Sequence, residues 1–384
     1  MDYNATTPCD KRVVEAMIPY FSEFYGNAAS RNHSFGWQAE EAVTYAREQV
    51  ARLIGAEPNE IAFTSGATEA DNLAIKGVFE TYHAKGNHII TVATEHKAVI
   101  DTCKHLEKSG AEITWLNADG EGLIDLGELE AAIRPTTILI SVMYANNESG
   151  TIQRIREISA TAKKHSVLFF SDATQAVGKL PVDVQEDGID IMAFSAHKIY
   201  GPKGAGALYV RRRNPRVKLA PLLDGGGHER GVRSGTLNVP GIVGLGKACE
   251  ICYREMKEES ERVGKLRDKL ETAMLEIEGT RVNGSIQHRL PHVTNLSFSD
   301  ADSESMIAAL NRTVALSTGS ACTSASLEPS YVLKAMGKSD EEAYNSLRFS
   351  IGRYTTEEEI DYVINEVKRS IDKITNSQTN SFKL

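Results

Sequence analysis

The chain has 384 residues, of which 41% are hydrophobic and 25% charged, and this balance is typical of a soluble globular enzyme. Its length predicts about two domains of about 150 residues each. The 43 Lys and Arg residues against 52 Asp and Glu residues give a net charge of -9, which argues against broad binding to nucleic acid or to an anionic membrane, because both partners need a basic surface.

Signals for targeting, membrane insertion and disulfide pairing are missing from the sequence. No apolar run approaches the roughly 20 residues that span a bilayer, and the N-terminal stretch "MDYNATTPCD" has no basic region followed by an apolar segment. The cysteines Cys9, Cys103, Cys249, Cys252 and Cys322 are scattered and odd in number, unlike a disulfide framework. We therefore predict a cytoplasmic protein with reduced thiols.

Short apolar runs alternate with amphipathic helical stretches from about residue 35 to residue 210, which favours an α/β domain with a mostly parallel sheet. Ligands of such sheets bind at the carboxyl ends of the strands, so residues that follow the strands are the first candidates for a site. The predicted strands are "IAFTS" (61–65), "HIITVAT" (88–94), "ILISVMY" (138–144), "VLFFSD" (167–172), "IMAFSA" (191–196) and "ALYV" (207–210).

A helical pattern over residues 240–279 exceeds the usual length of a globular helix and predicts a bridge between two domains. After it, the strands "VTNLSF" and "SLRFSI", the helix "SESMIAAL" and a closing helix near residues 357–374 predict a smaller α/β domain, followed by a frayed polar tail. We therefore assign residues 10–255 to a large domain, and residues 1–9 and 256–384 to a small one.

The stretch "FTSGATEADNLAIKG" leads the first strand into an amphipathic helix. At such a junction, unpaired backbone N–H groups and the positive end of the helix dipole face the carboxyl edge of the sheet. This pattern predicts a phosphate cradle around Ala67 and Thr68. An ordinary helix cap by Ser65 or Thr68 is the alternative interpretation.

Further polar residues follow other predicted strands. His96 in "TEHKAV" could lie over a flat cofactor ring, move a proton, or be a satisfied structural residue. Asp172 ends the strand "VLFFSD" as a site carboxylate or as a helix cap. In "SAHKIYGPKG", Ser195, His197 and Lys198 share one turn, where a lysine is costly unless its amine is paired, has a lowered pKa, or snorkels to the surface.

Three of these segments, those with the cradle, Asp172 and Lys198, together fit one cofactor. An anion cradle, a carboxylate that holds a pyridinium proton and an amine that forms a Schiff base are what pyridoxal 5'-phosphate requires of its protein. Their joint occurrence at successive strand ends predicts this cofactor more strongly than any one of them.

The motifs resemble those of cysteine desulfurases of the housekeeping, iron-sulfur-cluster-assembly type, which are class-V aminotransferases. The likeness spans nearly the whole chain and implies the aspartate-aminotransferase-like fold type I of pyridoxal-phosphate enzymes, with a large domain, a smaller α/β domain and a homodimer. The matching segments are "NATTP", "GNAASRNHSFGWQAEEAV", "FTSGATEADNLAIKG", "TEHKAV", "ANNESG", "DATQAVGK", "SAHKIYGPKG", "GGGHERGVRSGTLNV", "STGSACTSASLEPSYVL" and "LRFSIGRYTTEEEID".

The resemblance also implies roles for particular residues. Arg348 would clamp the carboxylate of the substrate L-cysteine through its planar fork, and Asn147 would assist substrate and cofactor binding. The phosphate would also be reached by Thr236 from the second subunit. The residues implied in holding the cofactor within one subunit are Lys198 on its aldehyde carbon, Asp172 on the ring nitrogen, Gln175 on the ring hydroxyl, His96 stacked on the ring, and Ala67, Thr68, Ser195 and His197 on the phosphate.

Cys322 lies in "STGSACTSAS", a polar run of small residues that we expect to form a mobile loop. By the resemblance, Lys198 would remove the α-proton of bound cysteine, and the Cys322 thiolate would attack the substrate sulfur. L-alanine would leave, and the persulfide on Cys322 would pass to an iron-sulfur scaffold protein or another acceptor. A loop thiol without a role is the alternative that these ten residues alone leave open.

Four other motifs are interpreted as structural. "GIVGLGKA" lacks the Ser or Thr of a nucleotide P-loop and predicts helix packing, and "CEIC" has no second pair and predicts core or surface cysteines. "HRLPH" is split by proline and lacks a third ligand, so we predict no metal site. The basic run "RRRNPRVK" is typical of a solvated loop.

Three rival functions remain on the sequence alone. An aminotransferase would share Lys198, Asp172 and the fold, but it has no use for Cys322. A selenocysteine lyase would differ in whether it turns over cysteine at all. A non-catalytic scaffold would keep the fold for docking, and the intact set of Lys198, Asp172 and Cys322 argues against it.

Overall fold

The computed structural model describes residues 1–299, 301–318 and 328–381. Cys322, and with it most of the loop that we expect to be mobile, lies outside these residues. The described chain contains a seven-stranded sheet and a three-stranded sheet.

The large sheet follows the order β1-β7-β6-β5-β4-β2-β3 and is mostly parallel, as predicted. Pairing is parallel from β3 through β6, whereas β7 is antiparallel to β6 and β1. The sequence prediction missed β3, an edge strand that is only partly buried and lacks a continuous apolar run. The strands are β1 Ile61–Thr64, β2 His88–Val92, β3 Glu112–Leu116, β4 Thr137–Ser141, β5 Leu168–Asp172, β6 Ile191–Ser195 and β7 Gly206–Val210.

Helices cover both faces of this sheet, because its inner strands are apolar on both sides. The helices are α1 Lys11–Met17, α2 Pro19–Ser22, α3 Ser34–Leu53, α4 Ala67–Tyr82, α5 Lys97–Glu107, α6 Leu126–Ala132, α7 Ile155–Lys164 and the first part of α8 Val239–Leu275. α4 and α5 pack with Leu139 and Phe170 on one face. α3, α7 and α8 pack with Ile140 and Phe169 on the other.

The small sheet packs against the second half of α8 and the closing helix. Its antiparallel strands follow the order β10-β9-β8. Along α8, Cys252 belongs to the core of the large sheet and Val263 to that of the small sheet. The proposed boundary at residue 255 falls between them and stays a prediction. The elements are β8 Arg281–Asn283, β9 Val293–Ser297, α9 Ser303–Leu310, α10 Tyr331–Ala335, α11 Asp340–Tyr344, β10 Ser346–Ser350 and α12 Glu357–Ser381.

Two predictions about helices can be compared with the structure. The closing helix continues to Ser381, so its predicted end near residue 374 was wrong. The "CEIC" cysteines, Cys249 and Cys252, are buried on α8, and burial raises the pKa of both thiols. Among the helices that the structure describes, none combines the length and apolar character that crossing a membrane requires.

Candidate active site

A pocket of about 550 Å³ opens where β4, β5 and β6 end. Thr236 is exposed and does not line it, and Cys322 lies outside the described residues. The predicted residues that the pocket brings together are Ala67, Thr68, His96, Asn147, Asp172, Gln175, Ser195, His197, Lys198 and Arg348.

The N-terminus of α4 forms one wall of the pocket. Gly66 is the N-cap residue, has φ 155° and supplies no side-chain cap, while Ser65 donates from its N–H and its hydroxyl to Glu69. Neither Ser65 nor Thr68 therefore caps α4, and the cap alternative was wrong. A Cβ on Gly206 would come within 2.6 Å of the Gly66 Cα, so only glycine fits behind this turn. The uncapped first turn leaves N–H groups for an anion.

Lys198 ends a 3-10 turn that follows β6. Its Nζ donates to the Asn4 carbonyl at 2.5 Å and to the Ala5 carbonyl at 2.7 Å, so the amine lies at the pocket wall and does not snorkel. Burial, Lys198 and Lys203 lower the pKa of the neighbouring His197 to about 4. The His197 imidazole is therefore neutral at physiological pH, and the lysines favour an anionic ligand.

Asp172 and Gln175 lie beside this amine. Asp172 ends β5 and is 5% exposed, and its Oδ1 accepts from the Thr174 N–H at 2.9 Å. The Gln175 amide donates to the Asn4 carbonyl at 3.3 Å, and its oxygen accepts from Lys179 Nζ at 2.9 Å. Because Lys179 Nζ donates to the amide oxygen of Gln175, that oxygen faces Lys179 and the amide nitrogen faces the Asn4 carbonyl. The sequence analysis gave Lys179 no role.

His96 follows β2 and also lines the pocket. Its Nδ1 accepts from the Ala98 N–H at 3.1 Å and so caps the N-terminus of α5. The structural reading of this residue is therefore correct, and it is compatible with a second role at the pocket, because the cap holds the ring in one orientation.

Arg348 reaches the opposite side of the pocket from β10 and is 2% exposed. Its guanidinium donates to the Asn147 carbonyl at 2.9 Å and to Asp2 Oδ1 at 2.7 Å. Asn4 donates to the same Asn147 carbonyl at 2.9 Å. The segment "NATTP" was assigned on resemblance alone, and the structure shows that its Asn4, together with Asp2 just before it, contacts the Arg348 side of the pocket.

Three buried polar atoms in this region lack a hydrogen-bond partner in the described structure: Asn147 Oδ1, Thr174 Oγ1 and Arg348 Nε. Buried polar atoms are seldom left unpaired, and these residues line the pocket. With the uncapped α4 amides, the Lys198 amine and the Asp172 carboxylate, they form a donor and acceptor set that fits pyridoxal phosphate and an amino-acid carboxylate.

Two buried carboxyl groups behind the pocket were missed in the sequence. Asp71 on α4 and Glu95 before α5 are both 0% exposed. Asp71, His96 and Asp172 offer ligand atoms that lie within 4.8 Å of one another. A signal for Asp71 was present, because Ala74, three residues later, places it on the apolar stripe of α4. The prediction that the protein holds no metal stays a prediction.

The chain resembles known proteins over nearly its whole length. The sequence profile of the family described as aminotransferase class-V matches residues 1–363. A cysteine desulfurase IscS of Mannheimia succiniciproducens is 57% identical over 376 residues, which cover 97% of this chain and 93% of the relative. A solved NifS-like protein has a TM-score of 0.89 and 38% identity, over 97% of this chain and 98% of the other. The structure of SspA in complex with cysteine has a TM-score of 0.82 and 40% identity, over 92% and 99% of the two chains.

Proposed function

Because the chain belongs to the class-V aminotransferase family, and within it to the cysteine desulfurases, we propose that it is a pyridoxal-phosphate-dependent cysteine desulfurase. It would convert L-cysteine to L-alanine and retain the sulfur on Cys322. The observation that carries this proposal is one pocket that combines the Lys198 amine, the Asp172 carboxylate and the Arg348 guanidinium.

The cofactor would be held by the residues that line this pocket. Ala67, Thr68, Ser195 and His197 would bind its phosphate, Asp172 its ring nitrogen, and Gln175 its ring hydroxyl. Lys198 would hold it covalently, and His96 would lie on its ring. When bound, pyridoxal phosphate supplies an electron sink for the negative charge that develops at the substrate Cα.

The protein's own groups would divide the remaining work. Arg348 would bind the substrate carboxylate with its planar fork, which Asn147 and Asp2 orient. Lys198 Nζ would take the substrate α-proton, and the Asn4 and Ala5 carbonyls hold this nitrogen at the pocket wall. Proximity of this kind replaces a bimolecular proton transfer with an intramolecular one.

The chain on either side of Cys322 is anchored at the pocket. Arg348 donates its backbone N–H to the Ser317 carbonyl at 2.9 Å, and Tyr331 donates its hydroxyl to the Glu95 carbonyl at 2.7 Å. Five residues of extended chain reach about 17 Å, so Cys322 can reach the pocket from Ser317. The Cys322 thiolate would bond to the substrate sulfur as the carbon-sulfur bond breaks, and the carbon fragment would leave as alanine.

A homodimer is also part of the proposal, because Thr236 would complete the partner's phosphate site. Thr236 is exposed in the isolated subunit, as a residue that reaches a partner would be. A face of large exposed apolar residues on and near α1, α2 and α3 suits a second copy. Its members are Val14, Ile18, Phe21, Phe24, Tyr25, Phe35, Trp37 and Tyr45. Light scattering on the holoenzyme should give twice the mass of 42.0 kDa.

Two further elements of the proposal concern the cell. We propose an iron-sulfur scaffold protein as one sulfur acceptor and the cytoplasm as the location. Mixing the persulfide-bearing enzyme with a candidate scaffold should move the added sulfur to the scaffold, and cell fractionation should place the enzyme with cytoplasmic markers.

The function is tested by feeding purified holoenzyme cysteine and no oxo-acid. We expect alanine in the product and, by mass spectrometry, one added sulfur on Cys322. Cys322→Ser should stop sulfur transfer while the cofactor stays bound. A strict requirement for an oxo-acid would favour an aminotransferase, turnover of selenocysteine alone would favour a lyase, and full sulfur transfer by Cys322→Ser would favour a scaffold role.

A further inference from the structure

Asp71 is a carboxyl group with no visible structural role. It lies on α4 with its side chain turned to the sheet, is 0% exposed, and neither of its oxygens has a hydrogen-bond donor in the described structure. An ionised carboxylate in such a place would be strongly destabilising. Burial, Asp172 and Glu95 all raise the pKa of Asp71 well above its ordinary value.

The groups that face Asp71 come from two neighbouring elements. Asp172 stands at the end of β5, and Glu95 and His96 connect β2 to α5. Atoms of Asp71, His96 and Asp172 lie within 4.8 Å of one another, a separation that a single water can bridge. Glu95 is itself buried, and burial raises its pKa.

The three carboxyl groups differ in the donors that reach them. Asp172 accepts the Thr174 N–H at 2.9 Å and opens onto a pocket whose wall contains Lys198. Glu95 accepts the Met143 N–H at 2.5 Å through one oxygen only. Asp71 accepts none. Because hydrogen bonds to an ionised carboxyl favour ionisation, the negative charge belongs on Asp172 and the proton on Asp71.

We propose that Asp71 is a positioning residue that stays protonated at neutral pH and donates its proton toward Asp172, so that Asp172 remains an oriented carboxylate for the ring nitrogen of the cofactor. The inference rests on the proposed function, since it deepens the role of Asp172. The helix α4 would then contribute twice to the site. Its N-terminus would bind the phosphate, and Asp71, one turn further along, would supply the acid that supports Asp172.

The first test needs no cofactor. Infrared spectra of the cofactor-free protein at neutral pH should show carbonyl stretching of protonated carboxylic acids, and Asp71→Asn should remove one such component. Asp101→Asn, which changes an exposed carboxyl on α5, should remove none. A spectrum unchanged by Asp71→Asn would mean that Asp71 is ionised, and the inference would be wrong.

The second test measures pyridoxal-phosphate affinity by titration of the full-length protein. Asp71→Asn keeps a hydrogen-bond donor of the same size and should stay within about threefold of wild type. Asp71→Leu removes the donor and should weaken binding by about tenfold or more, the effect of losing a hydrogen bond to a charged group.

Each outcome separates this inference from the proposed function. Wild-type protein that takes up no cofactor would contradict the function and leave the infrared result as the test of Asp71. Normal cofactor uptake with equal affinities for wild type and Asp71→Leu would contradict the inference alone. Stoichiometric metal in wild type that is lost in Asp71→Asn would show an ionised ligand and would also overturn it.

Discussion

The two sides of the pocket are built differently. The proposed cofactor side consists of residues that end or follow β1, β2, β5 and β6, so each is placed by its strand. The substrate side joins Arg348 to Asp2 and Asn147, which lie 346 and 201 residues away in the chain. Local sequence patterns therefore indicate the cofactor side. The substrate side forms only when the small sheet packs against the large sheet.

This difference predicts that substitutions on the two sides of the pocket have different effects on catalysis and binding. A change on the cofactor side should remove chemistry and leave the substrate contacts intact. A change on the substrate side should weaken binding and leave the cofactor in place. Three variants test this division and a fourth tests the stability of the folded pocket, in order of decreasing effect.

Lys198→Ala should lower kcat by about 10⁴-fold, because it removes the group that we propose moves the α-proton. The residues proposed to bind the phosphate do not include Lys198, so cofactor should still bind without a covalent link. Turnover assays and borohydride labelling check both parts. Lys104→Ala, an exposed lysine on α5, should match wild type, and a Lys198→Ala enzyme with normal turnover would contradict the assignment.

Arg348→Ala should lower kcat/KM by roughly a thousandfold, about 4 kcal/mol, because it truncates the buried charge that we propose pairs with the substrate carboxylate. The cofactor spectrum should be unchanged. Arg348→Lys restores the charge without the fork and should recover only part of the loss. If Arg348→Ala instead released the cofactor, the two sides of the pocket would not be separable.

Glu148 is a buried carboxyl group that lines the pocket and should make the free energy of unfolding depend on pH. Its side chain is 2% exposed and accepts from the Ser330 hydroxyl, and burial raises its pKa from 4.5 to about 7. Between these two values the folded state holds a proton that the unfolded state has released, so the free energy of unfolding should fall as pH rises from 4.5 to 7.

Glu148→Gln should abolish that part of the pH dependence, which amounts to at most about 3 kcal/mol. Urea unfolding at about pH 5 and about pH 8 measures it. Glu107→Gln, an exposed carboxyl on α5, serves as the control. An unchanged slope in Glu148→Gln would show that Glu148 is ionised throughout this range.

Asp2→Asn should have the smallest effect, an increase in KM of about threefold to tenfold with kcat unchanged. The carboxylate of Asp2 holds one side of the Arg348 fork at 2.7 Å, and an amide keeps the contact but loses the charge assistance. Steady-state kinetics measure KM and kcat separately and so test this expectation. A fall in kcat with constant KM would place Asp2 in the chemistry and not in orientation.

The same division explains how much could be predicted. The inner strands are buried on both faces, so their apolar runs show in the sequence, and the residues that end them could be chosen in advance. The partly exposed β3 gave no such run, and the polar sequence near residue 375 hid the continuation of α12 to Ser381.

Residues whose importance depends on distant contacts escaped the sequence analysis. Asn4 matters through the Gln175 and Lys198 side chains that reach its carbonyl. Lys179 matters because it orients Gln175. The Asn4 contacts join residues more than 170 positions apart, so no local pattern encodes them. Lys179 lies only four residues from Gln175, and its role becomes visible once the fold places Gln175 at the pocket.

The attachment of the cofactor to Lys198 is the claim on which the account most depends. Borohydride reduction of the holoenzyme, followed by peptide mapping with mass spectrometry, tests it directly. We expect the cofactor mass on the peptide that contains Lys198, and no label on that peptide in Lys198→Ala. Label on another lysine, or no covalent label in protein saturated with pyridoxal phosphate, would contradict the account.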